Sequence, residues 1–238
     1  MLNKFFHREP KKFRHELKYL VNMSHLTIID NNISSIMDID KNIVAGNTYS
    51  IRSLYFDDID NSAFASNVNG TDPREKFRIR IYNASTKHIA LELKKKEATL
   101  TQKISCAIDF DTACKLINGT LEYDEALPPL LKKFFVLQET HLLHPTIIVE
   151  YDRKPYVYAD GNVRVTFDTN IRASSNMQSF FDKNLVCTPV LLWGHHVLEV
   201  KFDEFFPDFI RHAAQVNGLS QTTFSKFYLC KTREEILL

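Results

Sequence analysis

EKFRIRIYNASTKHIALELKKK, residues 75–96, is the stretch whose reading decides the fold. In its first half Phe77, Ile79 and Ile81 alternate with Lys76, Arg78, Arg80 and Tyr82. Strict period-two alternation is the signature of a β-strand with two unlike faces. In its second half Ile89, Leu91 and Leu93 alternate with Glu92 and Lys94. The polar link between the halves predicts a hairpin, which brings Arg78, Arg80, Glu92 and Lys94 onto one surface. Side chains two apart on a strand lie roughly 7 Å from each other, so the two arginines repel unless an anion lies between them. The pattern points to phosphate.

Upstream, residues 13–21 set Arg14, Glu16 and Lys18 against His15, Leu17 and Tyr19, which predicts another strand. Ser24 is a good N-cap for a helix over 24–37, where Leu26, Ile29, Ile33 and Met37 recur at helical spacing. Residues 39–48 predict a loop, 49–56 a strand, and 58–74 a long polar loop. Downstream, 99–108 is a strand with Thr101, Lys103 and Ser105 on one side, followed by helices over 109–118 and 125–143. Gly119 ends the first helix, and Pro128 and Pro129 stand near the start of the second.

Strands resume over 146–152, where Ile147, Val149 and Tyr151 oppose Glu150 and Asp152, and over 163–168, where Val163, Val165 and Phe167 oppose Arg164, Thr166 and Asp168. Residues 196–202 set Leu198, Val200 and Phe202 against Val197, Glu199 and Lys201. A helix is expected over 204–216, stopped near Gly218, and TTFSKFYLCK then sets Ser225 and Lys226 beside aromatic residues.

At 238 residues, with no Pro/Gly/Ser-rich linker, the chain is expected to form one domain over 1–238. The formal net charge of +1 gives no reason to expect nucleic acid or an anionic membrane surface as partner. Cys106, Cys114, Cys187 and Cys230 are widely spaced with no CxxC, which argues for reduced thiols in a cytoplasmic protein. No apolar run is long enough to span a bilayer, and the basic N-terminal stretch is not followed by an apolar region. His195 with His196, and His141 with His144, match no common zinc spacing. There is no GxxxxGK[ST], GxGxxG or HExxH.

Six strands thus share one design, an aliphatic or aromatic face and a face of Arg, Lys and Glu. A sheet with one wet side alternates in the same way. Clustered arginines on neighbouring strands are unfavourable on a plain surface, however, because like charges side by side destabilise a sheet, whereas Arg suits bidentate phosphate recognition. Closing the sheet turns the charged faces inward. The expected fold is therefore α+β, an antiparallel β-barrel tunnel with helices packed outside and a lumen that holds a polyanion and its metal ion.

The paired Glu16 and Lys18, the RxR of Arg78 and Arg80, LELK at 91–94 and the late ExK of Glu199 and Lys201 resemble the triphosphate tunnel metalloenzymes. Within that group the chain looks most like the VTC domain, the polyphosphate polymerase domain of the vacuolar transporter chaperone complex and its stand-alone bacterial relatives. RHELKYLV, SIRSLYFDD, REKFRIRIY, LELKKK, VEYDRKPYV, VRVTFDTNIRAS, LEVKFDEFFP and SKFYL stand in the expected order over nearly the whole chain. The resemblance implies transfer of the γ-phosphate of ATP onto a growing polyphosphate chain, with a divalent ion, Mn²⁺ or Mg²⁺, in the tunnel. It implies Arg78, Arg80, Lys94 and Arg164 as catalytic cations, and Lys18, Lys103, Lys201, Ser225 and Lys226 as substrate-binding residues. Glu199 is the implied metal ligand, helped by Glu16 or Glu150. ATP and inorganic polyphosphate are the implied partners, with room for a membrane protein partner. Thr223 stands where family members can carry a further lysine. A triphosphatase or polyphosphatase of the same fold, and a non-catalytic polyphosphate-binding module, are the alternatives.

Overall fold

The computed structural model describes residues 14–41, 43, 47–98, 100–216 and 218–237. Phe13, Thr99, the basic stretch before them and part of the 39–48 loop lie outside these. The described elements run β1 (Arg14–Asn22), α1 (Met23–Ser34), β2 (Asp38–Ile39), β3 (Tyr49–Asp57), α2 (Ser62–Val68), β4 (Arg74–Tyr82), β5 (Ser85–Glu97) and β6 (Leu100–Ile108). They continue with α3 (Phe110–Asn118), α4 (Pro129–His141), β7 (His144–Tyr158), β8 (Val163–Ser174), β9 (Thr188–Pro189), β10 (His195–Phe202), α5 (Asp208–Ala213) and α6 (Lys226–Leu237).

The sheet order β7-β3-β4-β5-β6-β1-β10-β8 is closed by pairing of β8 back onto β7, and β2 and β9 add short edges. All of these pairings are antiparallel. The fold is therefore the expected α+β antiparallel barrel. The central hairpin forms as its alternation requires, with Arg78 opposite Glu92 and Lys76 opposite Lys94.

The apolar faces pack in three clusters. Ile79, Ile81, Leu91 and Leu93 face outward under α3 and α4, where Phe134 meets Phe56 and Phe77 edge-on. Val165, Phe167, Leu198 and Val200 face outward under α1 and α5. The third cluster lies inside the barrel, where Phe227 and Cys230 of α6 meet Ile51, Ile147, Val149, Tyr151 and Val197. Each fully buried side chain of this kind contributes about 1.5–3 kcal/mol of burial, which anchors α6 within one end of the barrel. A lumen lined throughout by charge is thus replaced by a charged section capped with an apolar one.

Several boundaries differ from the sequence expectation for definite reasons. Asn22, not Ser24, caps α1, accepting from the His25 amide at 2.8 Å. The polar 58–74 loop contains α2, whose first amides are satisfied by the strand-end aspartates: Ala63 and Phe64 donate to Asp57, and Ser62 donates to Asp58. Such remote capping leaves no cap signature next to the helix. The 204–216 helix shrinks to α5 because Pro207 lacks an N–H and bars the residue before it from helical geometry. α4 starts at Pro129 for the same reason. β7 runs through Pro155, which lies beyond the last β3 partner, Arg153, where a missing donor breaks no β3 bond.

Candidate functional site: a charged lumen between two cavities

Strand parity aims each charged side chain. On β4 and β5 the outward apolar faces send Lys76, Arg78, Arg80, Glu92 and Lys94 inward, and on β1 and β10 they send Glu16, Lys18, Glu199 and Lys201 inward. Three carboxylate-centred groups result. Glu92, 2% exposed, accepts from Arg78 Nε at 2.8 Å and Lys103 Nζ at 2.9 Å, with Arg80 at 3.6 Å. Burial favours its neutral acid, but Arg78, Arg80 and Lys103 hold it well below the usual carboxylate range. Arg78 also donates to the Tyr55 hydroxyl at 3.0 Å, and Arg80 to Ser53 at 3.1 Å.

In the second group Lys18 and Lys201 each contact both Glu16 and Glu199, at 3.2 and 3.6 Å and at 3.8 and 3.1 Å. Lys94 donates to Glu16 at 2.8 Å. Burial pushes Glu16 toward the neutral acid, yet Lys18 and Lys94 bring it down to about 2. Lys18 is raised, because the two carboxylates outweigh the burial that would lower it. The third group is Asp168, held by Arg153 at 2.6 Å and Lys226 at 2.5 Å, and Arg153 reaches on to Glu199 at 3.1 Å.

The residues expected from sequence divide accordingly. Arg78, Arg80, Lys94, Lys18, Lys201, Lys226, Glu16 and Glu199 come together in the lumen. Lys103 is half exposed, with only its ammonium on Glu92. Arg164 lies at one mouth, paired with Asp40 at 2.5 Å. Ser225 accepts from Asn67 at 2.9 Å, and Lys76 Nζ lies 3.4 Å from its hydroxyl. Glu150 is not in the lumen. It sits on the outer face, bound by Arg52 and Arg172, because α6 draws the apolar face of β7 inward and so turns Glu150 out.

The same inversion carries Arg153 inside, because it shares parity with Ile147, Val149 and Tyr151. Asp168 and Lys76 were legible as members of charged faces, but not as parts of a site. Burial, with repulsion from Lys94, Arg74 and Lys18, pushes the Lys76 ammonium down to about 6. Glu150→Gln is expected to cost about 3 kcal/mol of stability by uncovering buried Arg52, while tripolyphosphate affinity at 20 °C stays unchanged. Weaker binding by the folded variant in calorimetry would return Glu150 to the site.

Glu16 and Glu199 offer hard oxygen donors side by side, bridged by the same two ammonium groups. Among the described residues no group of three or more His, Cys, Asp or Glu side chains stands ready for a metal. Two carboxylates suit a Mg²⁺- or Mn²⁺-like ion that takes its other ligands from phosphate and water, so these residues fit a substrate-assisted divalent site. Two cavities flank the charged section. One of about 540 Å³ is lined by Asn67, Arg74, Lys96, Thr223, Ser225 and Tyr228 among others. The other, of about 340 Å³, includes Arg14, Lys41, Arg164 and Lys201.

A solved structure of the same architecture is similar to this chain. A Hippeastrum protein described as a candidate adenylyl cyclase with a dominant triphosphatase activity superposes with a TM-score of 0.56 at 12% identity, covering 93% of this chain and 96% of that one. A Bacillus halodurans protein described as a candidate adenylate cyclase aligns with a TM-score of 0.47 at 15% identity, over 95% and 88%. No curated protein sequence matches the chain. The family model of the VTC domain matches residues 13–232, and with an eight-stranded barrel closed around inward-facing cations, this chain belongs to the VTC domain family and has the triphosphate tunnel fold.

Proposed function

We propose that the protein is a metal-dependent phosphotransferase that moves the γ-phosphate of ATP onto a polyphosphate chain inside its barrel. The observation that carries this reading is the charged section flanked by cavities on both sides, since a polymerase must hold a nucleoside triphosphate and a product chain at once. Arg78 and Arg80 lie side by side with Lys94, and their donors suit the equatorial oxygens of a transferring phosphoryl group. In the step, the terminal oxygen of the chain bonds to the γ-phosphorus, the β–γ bridging bond breaks, and ADP leaves with that electron pair. The lumen cations orient both partners in line and stabilise the charge that shifts toward the leaving oxygen. A divalent ion held by Glu16 and Glu199, when bound, supplies further neutralisation of phosphate oxygens.

Hydrolysis is the second reading, since water entering in line gives a triphosphatase, and the Hippeastrum relative by fold is described with that activity. Purified protein with ATP and Mn²⁺ is expected to give long-chain polyphosphate on gels, with ADP formed in step. Free phosphate as the only product would make it a triphosphatase. Tight polyphosphate binding without turnover under any divalent metal would make it a binding module.

A further inference from the structure

The cations of β4 and β5 do not end with the lumen. Along the inward face of β4, Arg74 and Lys76 precede Arg78 and Arg80, and across on β5 Lys96 and Lys94 stand directly opposite Arg74 and Lys76. Two successive cross-strand pairs are therefore like-charged, an arrangement that destabilises a sheet. Among the described residues, Lys94 has a carboxylate partner in Glu16, whereas none of Arg74, Lys76 and Lys96 makes an ion pair with one. Arg74 donates to the Ser66 carbonyl at 3.3 Å, and Lys76 lies 3.4 Å from the Ser225 hydroxyl and 4.9 Å from the centre of the Phe227 ring. Arg74 and Lys96 line the 540 Å³ cavity, which also takes in Ser225. Ser225 lies at the start of α6, where its hydroxyl accepts from the Tyr228 amide at 3.3 Å, so the positive end of that helix adds to the field.

We propose that Arg74, Lys76 and Lys96 form an anion-binding vestibule, continuous with the lumen through Lys76 and Ser225, that holds the outer phosphates of a linear polyphosphate longer than three units. It rests on the lumen being a phosphate site. From Arg74 to Arg80 the inward cations span roughly 20 Å of strand, more than three linked phosphates cover. An anion there bridges both cross-strand pairs, and the half-buried Lys76 gains a counter-charge that holds its proton. The vestibule thus selects for chain length, while the lumen selects for the triphosphate end.

The test is titration calorimetry of the full chain with tripolyphosphate and with long-chain linear polyphosphate, for the wild type, Arg74→Gln with Lys96→Gln, and Lys76→Met. Lys115→Ala, exposed on α3, controls for loss of bulk charge. The wild type and the Lys115 variant are expected to bind the long chain at least about tenfold more tightly than tripolyphosphate. The vestibule variants should lose most of that preference, and Arg74→Gln with Lys96→Gln, which removes only cavity-lining cations, should change tripolyphosphate affinity by less than about threefold. Two vestibule variants of different kinds guard against one misfolding, and melting temperature reports on each. A wild type that binds tripolyphosphate with no length preference, or folded vestibule variants that keep the preference, would overturn the vestibule and leave the lumen reading intact. A wild type that binds neither anion would overturn both.

Discussion

Glu199→Gln is expected to lower turnover with Mn²⁺ or Mg²⁺ by at least about a hundredfold, or about 2.7 kcal/mol of transition-state stabilisation. Burial favours the neutral acid at this position, but Lys201, Lys18 and Arg153 hold Glu199 well below the ordinary range, so a fixed negative charge faces the lumen. The amide keeps the shape and removes that charge, leaving Glu16 as the only carboxylate of the pair. The fold should survive, because Lys18 and Lys201 keep Glu16 and Arg153 keeps Asp168 as counter-ions. The variant interior is more positive, so tripolyphosphate should bind without metal at least as tightly as to the wild type. Lost turnover with retained metal-free binding is the combination that a merely structural role would not produce. Unchanged turnover across a metal titration would remove Glu199 from the metal site.

Arg80→Ala should lower turnover by more than tenfold, over about 1.4 kcal/mol. Arg80 is 7% exposed, and its guanidinium shares Glu92 with Arg78 and Lys103, both of which remain to cover that carboxylate in the variant. Stability should therefore fall far less than the roughly 3–5 kcal/mol that follows when a buried charge is left alone. Arg80→Lys retains the charge but not the planar fork, so it should recover ground-state affinity more than turnover. Equal recovery of both, read as separate kcat and KM values, would reduce Arg80 to a source of positive potential.

Much of this molecule follows from alternation along the chain. Where one face of a strand is apolar and an amphipathic helix is available to cover it, as with Ile79 and Ile81 under α4 or Val165 and Val200 under α1, burial fixes which way the charged residues turn. Arg78, Arg80, Lys94, Lys18 and Glu199 were therefore legible as one inward set, and so was the barrel that collects them. Residue pattern could not say which side of β7 is the inside. Ile147, Val149 and Tyr151 are as apolar as the faces that point outward elsewhere, yet they point inward, because α6 folds back into one end of the barrel and offers Phe227 and Cys230 as partners. That contact joins residues some eighty positions apart, and nothing local to β7 encodes it. It alone decides that Glu150 leaves the lumen, that Arg153 enters it, and that Lys76 comes to rest beside Ser225 at the mouth of a cavity.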